Sequence, residues 1–146
     1  MYYYIEPEVA GGIGDSSILD TSSHPPKIML LEYRFEGWLG DDLLESFPCF
    51  IITKRLADAI SVPPLSGFAL MPVEISKSEN FIESHPHVKL PEFQWLKISG
   101  SAGSDDFGLT ENHNLVISKS ALEVLKRFNI KQADLCSYPQ RHPIEK

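Results

Sequence analysis

Two stretches of this chain decide its fold: FIITKRLADAI at residues 50–60 and LVISKSALEVL at residues 115–125, which lie 65 positions apart. Each stretch reads as a short apolar strand, a hydroxyl residue and an amphipathic helix. Thr53 and Ser118 hold equivalent positions, where a side-chain hydroxyl can accept a hydrogen bond from a free N–H and cap the helix. The match continues without a gap beyond each helix. The pattern therefore predicts a duplicated strand–helix–strand unit.

The duplication also predicts which residues form the core. Residues 50–71 and 115–136 are each expected to run strand, helix, strand. Each unit is too small to bury its own apolar face, so the two helices should share one core. The residues predicted to be buried there are Leu56, Ile60, Leu122 and Leu125. Upstream of the units, with a slip of one residue, the pair Asp41-Asp42 matches Asp105-Asp106.

The rest of the chain contributes further strands and loops. Apolar or alternating runs predict strands at Tyr2–Ile5, Lys27–Phe35, Phe68–Ile75, Phe93–Ser99 and Ala133–Tyr138. Glycine, proline and polar residues predict loops at 11–26, 37–46, 76–91 and 100–114, and a tail at 139–146. The predicted fold class is α+β, with both helices packed on one mixed sheet.

We expect a single compact domain over residues 1–146. It comprises acidic N-terminal strands and loops at 1–49, a first repeat unit at 50–75 and a second at 115–138. With 42% hydrophobic and 23% charged residues, the composition is that of an ordinary globular protein. The sequence shows neither an export signal nor an apolar run of membrane-spanning length, which predicts a cytoplasmic protein. In that setting Cys49 and Cys136 are expected to be thiols rather than a disulfide.

The net charge of −7 is concentrated in the first third of the chain. Residues 1–50 hold nine of the 20 acids and two of the 13 bases, so the remaining residues hold eleven of each. Nucleic acid is disfavoured as a ligand, because phosphate binding needs a basic surface. An acidic surface suits a basic protein partner, although acidity is equally common in proteins with no such partner.

Candidate metal-binding and catalytic residues are scattered. His85 and His87 are separated by one residue, but zinc needs three or four convergent ligands, and neither finger-type nor HExxH spacing occurs. The pairs Asp41-Asp42 and Asp105-Asp106 have three possible roles, as turn caps, partner contacts or catalytic carboxylates. We expect no metal, no cofactor and no catalytic residues.

A loop containing tryptophan and three acids is the candidate partner-binding surface. Trp38 follows Gly37, and it either packs in the core or anchors an interface among carboxylates. If the two aspartate pairs precede equivalent strands, they can lie at one edge of the sheet. The residues predicted to contact a partner are Trp38, Asp41, Asp42, Glu45, Asp105, Asp106 and Glu111.

Three segments resemble a known class of protein: FPCFIITKRL at 47–56, DDFGL at 105–109 and LVISKSAL at 115–122. They resemble the immunity-protein families of bacterial polymorphic-toxin systems, including those of type VI secretion. The likeness covers roughly residues 45–75 and 93–138. It implies a cytoplasmic protein that binds a cognate toxin effector domain and holds it inactive, by occluding its active site. Such proteins act by binding, so the resemblance implies no catalytic residues.

Two alternatives stay open at this point. One is a small enzyme whose site is dispersed along the sequence and formed only by the fold. The other is a self-assembling structural or regulatory domain. The sequence indicates neither the identity of a toxin nor the oligomeric state.

Overall fold

The computed structural model describes residues 1–139, and over that range the chain is an α+β fold of thirteen strands and three helices. Residues 140–146 of the expected tail lie outside the described residues. In chain order the elements are β1 Tyr2–Glu6, β2 Gly11–Ile13, β3 Ile18–Asp20, β4 Lys27–Leu30, β5 Glu32–Phe35, β6 Leu43–Ser46, β7 Cys49–Thr53, α1 Lys54–Ser61, β8 Phe68–Met71, β9 Glu74–Lys77, α2 Glu79–Ser84, β10 Phe93–Ile98, β11 Phe107–Leu109, β12 Leu115–Ser118, α3 Lys119–Leu125 and β13 Asp134–Tyr138.

The strands form several small sheets, so the prediction of one mixed sheet is wrong. Two antiparallel sheets have four strands each, in the orders β6-β7-β10-β8 and β11-β12-β1-β13. The remaining strands form a three-stranded sheet, β2-β5-β9, and a two-stranded sheet, β3-β4. Short strands with breaks between them explain the difference, because each break lets the chain pass from one sheet to another.

The two predicted helices begin where the sequence places their caps. Thr53 Oγ1 accepts from the N–H of Leu56 at the start of α1, and Ser118 Oγ accepts from the N–H of Ala121 at the start of α3. These bonds satisfy donors that a helix N-terminus would otherwise leave free. Both cap residues follow apolar strands that are buried throughout.

One core joins α1, α3 and the two four-stranded sheets. Leu56, Ile60, Leu122 and Leu125 are all buried in it, as predicted, with Phe50 and Ile117 from the central strands. A second core lies on the N-terminal side and is rich in aromatic residues, with Tyr33, Phe35, Phe81, Phe93 and Trp95. The second core supports the residues around Trp38.

Several predicted loops and strands are wrong in detail. The predicted loops contain β2 and β3 within 11–26, β6 within 37–46, α2 within 76–91 and β11 within 100–114. The predicted strands Lys27–Phe35 and Phe68–Ile75 are each divided, the second of them at Pro72. Proline lacks the N–H that a strand would donate to its neighbour, so the chain leaves one sheet there and enters another.

Candidate functional site

The Asp42 carboxylate lies inside the protein and joins the two helical regions. Its Oδ1 accepts from Thr53 Oγ1 at 2.6 Å and from Arg55 Nε at 2.8 Å. Its Oδ2 accepts from a terminal nitrogen of Arg55 at 2.7 Å and from the backbone N–H of Asn129, beyond α3, at 2.8 Å. The residue is 2% exposed. Asp42 therefore holds the start of α1 and the end of the α3 region together.

Asp41 binds the same distant segment. Its two carboxylate oxygens accept from the backbone N–H groups of Lys131, at 3.1 Å, and Gln132, at 2.8 Å. Asp41 is 1% exposed. The pair Asp41-Asp42 thus satisfies three backbone donors in the connection between α3 and β13, a segment that has no secondary structure of its own to accept them.

Asp106 makes corresponding bonds on the other side of the core. Its Oδ1 accepts from Ser118 Oγ at 2.6 Å, and its Oδ2 accepts from the backbone N–H of Ser66, beyond α1, at 2.9 Å. Asp105 accepts locally, from the N–H of Ser101 at 2.9 Å. Each aspartate that binds a cap hydroxyl therefore also binds the chain that follows the opposite helix.

The surroundings of these carboxyls shift their pKa values in a consistent direction. Burial alone raises the pKa of Asp42, but hydrogen bonds from Arg55, Thr53 and Asn129 outweigh it and hold the pKa below its usual value. Burial likewise raises the pKa of Asp106, and bonds from Ser118 and Ser66 bring it below its usual value. Both groups are therefore carboxylates at neutral pH, acting as hydrogen-bond acceptors.

Three of the seven predicted partner-binding residues are unavailable at the surface. Asp41, Asp42 and Glu45 are buried, which does not favour direct contact with a partner, and the prediction that they make such contact stays a prediction. The physical reason for their burial is that a loop carboxylate can be solvated by backbone N–H groups as well as by water. Asp105 and Asp106 are partly exposed, and Glu111 is exposed. Asp106 is engaged by Ser66 and Ser118, so its carboxylate also has a structural role.

Trp38, the remaining predicted contact, is half-buried and fixed in place. Its Nε1–H donates to the backbone oxygen of Asp41 at 3.0 Å, and its ring lies edge-on to Phe93 with centroids 6.0 Å apart. One side of the indole packs on the second core and another lines the surface, and the role of Trp38 as an interface anchor stays a prediction. Trp38 lies between two surface depressions.

The first depression, here called the apolar groove, is lined by Val9, Trp38 and Leu39, with Glu8, Glu36 and His85 beside them, and has a volume of about 400 Å³. Val9 is 67% exposed and Leu39 is 71% exposed. The buried Glu8 carboxylate accepts from the backbone N–H groups of Leu39, at 2.6 Å, and Asp41, at 3.3 Å. Leu39 is thus held outwards by an ordered loop.

Burial raises the pKa of Glu8 above its usual value, although the N–H groups of Leu39 and Asp41 lower it in part. Glu8 is the opposite case to Asp42, because no cation is bonded to its carboxylate among residues 1–139. The groove therefore has a buried acid beneath it and the exposed Glu36 at its edge.

The second depression, here called the basic cleft, is lined by Trp38, Lys54, Arg55, Lys89, Leu90 and Pro91, with Asp42, Glu92 and Asn129 completing it. Its volume is about 510 Å³. Sequence patterns did not predict this cleft, because Lys54 and Arg55 fit the solvated face of α1 and Lys89 fits a loop. Trp38 is shared with the apolar groove.

A further exposed apolar surface lies on the β3–β4 hairpin, where Ile18 is 56% exposed and Met29 is 59% exposed. Hydrophobic residues exposed on a two-stranded sheet are common enough in proteins that they indicate no specific partner by themselves.

Chemically reactive groups are sparse in the described part of the chain. Residues 1–139 contain no cluster of three or more His, Cys, Asp or Glu side chains able to hold a metal ion. Cys49 and Cys136 are free thiols, as predicted. Burial raises the pKa of Cys49 to about 12, so it is not a thiolate nucleophile at neutral pH. None of the helices within residues 1–139 is long and apolar enough to cross a membrane.

Neither the models of known protein families nor the curated proteins give a match to this chain. Function is therefore inferred from the geometry of the apolar groove and the basic cleft.

Proposed function

We propose that this chain is an immunity protein that binds a cognate bacterial toxin domain in the cytoplasm and neutralises it by covering its active site. The observation that carries the proposal is the apolar groove. Val9 and Leu39 expose most of their surface beside an anchored indole, and large apolar side chains held outwards in this way are characteristic of contact sites. The resemblance of residues 45–75 and 93–138 to immunity proteins supports the same conclusion.

The groove replaces the acidic loop as the expected contact surface. Trp38 keeps its predicted role, whereas Asp41 and Asp42 position the loop from inside the protein. Glu36 remains exposed at the edge of the groove. The partner segment that fits is therefore apolar at its centre and carries a Lys or Arg that meets Glu36, and the net charge of −7 favours its approach.

The test uses the protein encoded beside the gene for this chain, expressed with and without it. Co-expression should restore growth, and the two proteins should co-purify. Leu39→Ser and Val9→Ser should each weaken binding by roughly tenfold, because each removes an exposed apolar contact without altering the core. Val62→Ser is the matched control, since Val62 is 81% exposed and outside both depressions.

Three outcomes would contradict the proposal: no association with the neighbouring product, no protection of growth, or equal binding by Leu39→Ser and the parent. Turnover of a substrate by the isolated chain would instead favour the small-enzyme alternative. A stable homo-oligomer through the groove would favour self-assembly.

We also infer that the two four-stranded sheets descend from one duplicated unit. Strand pairing supports this at the 65-residue offset. Thr53 pairs with Phe93 on β10, and Ser118 pairs with Tyr2 on β1. Farther along, Met71 pairs with Trp95, and Cys136 pairs with Tyr4. In this interpretation β1, the first strand of the chain, pairs with β12 and β13 of the second unit in the same way that β10 pairs with β7 and β8 of the first unit.

The test of the duplication is structural. In an experimentally determined structure, β6, β7, α1, β8 and β10 should superpose on β11, β12, α3, β13 and β1 in that order. Pairing of β1 with any strand other than β12 and β13 would contradict it.

A further inference from the structure

The basic cleft contains an arginine that the fold does not need for its aspartate bonds. At the 65-residue offset, Arg55 corresponds to Ser120. Asp106 accepts from the Ser118 hydroxyl that caps α3 and from the backbone N–H of Ser66, beyond α1. Within residues 1–139 no arginine is bonded to its carboxylate. Asp42 makes the same two kinds of bond and in addition binds Arg55 through two nitrogens. The comparison within one molecule indicates that Arg55 serves something beyond holding the two helical regions together.

The bond to Asp42 fixes where the guanidinium points. Two of its nitrogens are used by the carboxylate, and the remaining terminal nitrogen makes no hydrogen bond to another residue in the range 1–139. The side chain is 61% exposed in the cleft wall, with the Phe128 ring 5.4 Å from its central carbon. The bidentate pair with Asp42 therefore orients the remaining terminal nitrogen of Arg55 as a hydrogen-bond donor for a ligand in the cleft.

Two lysines add positive charge to the same space. Lys54 and Lys89 line the cleft, and the Lys54 ammonium contacts Asp58 at 3.2 Å across an exposed helical turn, a pairing that costs little to exchange. The lining holds the cations Lys54, Arg55 and Lys89 against the carboxylates Asp42 and Glu92, and the pairing of Arg55 with Asp42 leaves two lysines against one carboxylate, a net charge of +1. The cleft is thus a locally positive site in a chain whose net charge is −7.

The other wall is apolar and rigid. Leu90, Pro91 and the Trp38 ring form it, and the backbone N–H of Lys54 donates to Glu92 O at 2.9 Å, which ties this segment to the start of α1. The volume of about 510 Å³ falls within the range of small-molecule sites, and the cleft is open to solvent on one side. A flat ring fits beside the indole, and an anionic group fits beside the cations.

We propose that the basic cleft binds a nucleoside phosphate, with its base against Trp38, Leu90 and Pro91 and its phosphate on Arg55, Lys54 and Lys89. The proposal does not depend on toxin binding at the apolar groove, although Trp38 lines both depressions. In such a ligand the planar base can contact the apolar wall while the dianionic phosphate contacts the cations of the other wall.

The test titrates adenosine 5′-monophosphate into ¹⁵N-labelled protein and follows the two indole N–H signals. The Trp38 signal should move with saturation, while that of Trp95, which is 5% exposed in β10, should stay in place as an internal control. Adenosine and inorganic phosphate, titrated separately, should each bind at least tenfold more weakly than the nucleotide, since each meets only one wall.

Substitutions locate the site. Lys89→Ala should weaken nucleotide binding by roughly tenfold, because a charge-assisted contact is lost, whereas Lys126→Ala, at an exposed position after α3, should leave it unchanged. Arg55→Ser reproduces the residue of the second unit and should abolish saturable binding, with thermal unfolding reporting whether the variant is folded. Lys54→Ala gives a second test that leaves the Asp42 pair intact.

The proposal is overturned if the Trp38 signal does not move at millimolar nucleotide, if adenosine or phosphate alone binds as well as the nucleotide, or if Lys89→Ala and Lys126→Ala behave alike. Loss of toxin binding in Leu39→Ser with nucleotide binding unchanged would separate the two sites.

Discussion

Asp42 and Asp106 make the same two kinds of hydrogen bond, but they differ in burial and in their other bonding partners. Each carboxylate accepts from the hydroxyl that caps a helix and from the backbone that follows the opposite helix. Asp42 is almost fully buried and paired with Arg55, whereas Asp106 is partly exposed and bonded to neutral donors. The shared bonds connect each helix start to the segment that follows the other helix, and the additional partner of Asp42, Arg55, lines the basic cleft.

The same comparison separates structural acids from surface acids. A count of charges treats every carboxylate in residues 1–50 alike, yet Asp41, Asp42 and Glu45 are inside the protein while Glu36 is outside. Charge excess in a stretch of sequence therefore does not locate an interface. Under the proposed function, the exposed apolar residues Val9 and Leu39 are better candidates for a contact surface than the buried acids.

The largest expected effect is in the shared core. Ile60 and Leu125 are equivalent at the 65-residue offset, and each is 1% exposed. Ile60→Ala and Leu125→Ala should each lower the free energy of unfolding by about 2–5 kcal/mol, because each leaves a cavity among packed side chains. Urea unfolding measures both, with Val62→Ala as an exposed control that should change little. A loss outside this range in only one of the two variants would show that the two repeat units contribute unequally to the stability of the shared core.

The next effect distinguishes the two aspartates. Asp42→Asn should lower the free energy of unfolding by about 2–4 kcal/mol, because it removes charge-assisted bonds from Arg55 and a buried acceptor. Asp106→Asn should cost less, about 1–2 kcal/mol, since its partners are neutral and partly solvated. Circular dichroism during urea unfolding compares them. Equal costs would mean that Arg55 contributes no stability to the pair.

A smaller effect concerns acid stability. Asp42 and Asp106 have pKa values below their usual value in the folded state, so the folded protein binds fewer protons than the unfolded chain in that range. Their stabilisation is fully present above the unfolded pKa of about 3.9 and is lost as pH falls through the lower folded pKa. Asp42→Asn should therefore flatten the acid limb of a stability-versus-pH curve.

Glu8 acts with the opposite sign. Its folded pKa is raised, so protonation of Glu8 adds stability as pH falls through that value and partly masks the loss at Asp42. The variant Glu8→Gln should steepen the acid limb relative to the parent. An unchanged limb in both variants would mean that other carboxyls control acid unfolding.

Local pattern was enough to predict part of the fold. The caps Thr53 and Ser118 and the buried helix faces were predicted correctly, because a hydroxyl followed by apolar residues at helical spacing depends on neighbouring residues only. The α2 helix was missed, although Ser78 caps it by the same bond, accepting from Phe81 N–H. Its six residues contain a single buried side chain, so no periodicity marks it.

The site could not be predicted in the same way, because its bonds cross the chain. Asp41 and Asp42 are buried by donors at Asn129, Lys131 and Gln132, which lie 87 to 91 residues away. No local feature of the sequence predicts hydrogen-bond partners at such a distance along the chain. The basic cleft likewise depends on Lys89 reaching the start of α1 through the pairing of β10 with β7.

Hydrogen exchange of the complex with the proposed toxin partner tests the central claim most directly. Compared with the free protein, the complex should slow exchange at residues 8–11 and 36–39, which line the apolar groove, and leave the β3–β4 hairpin unchanged. Slowed exchange at the hairpin or along β13, with no change at the groove, would contradict the account.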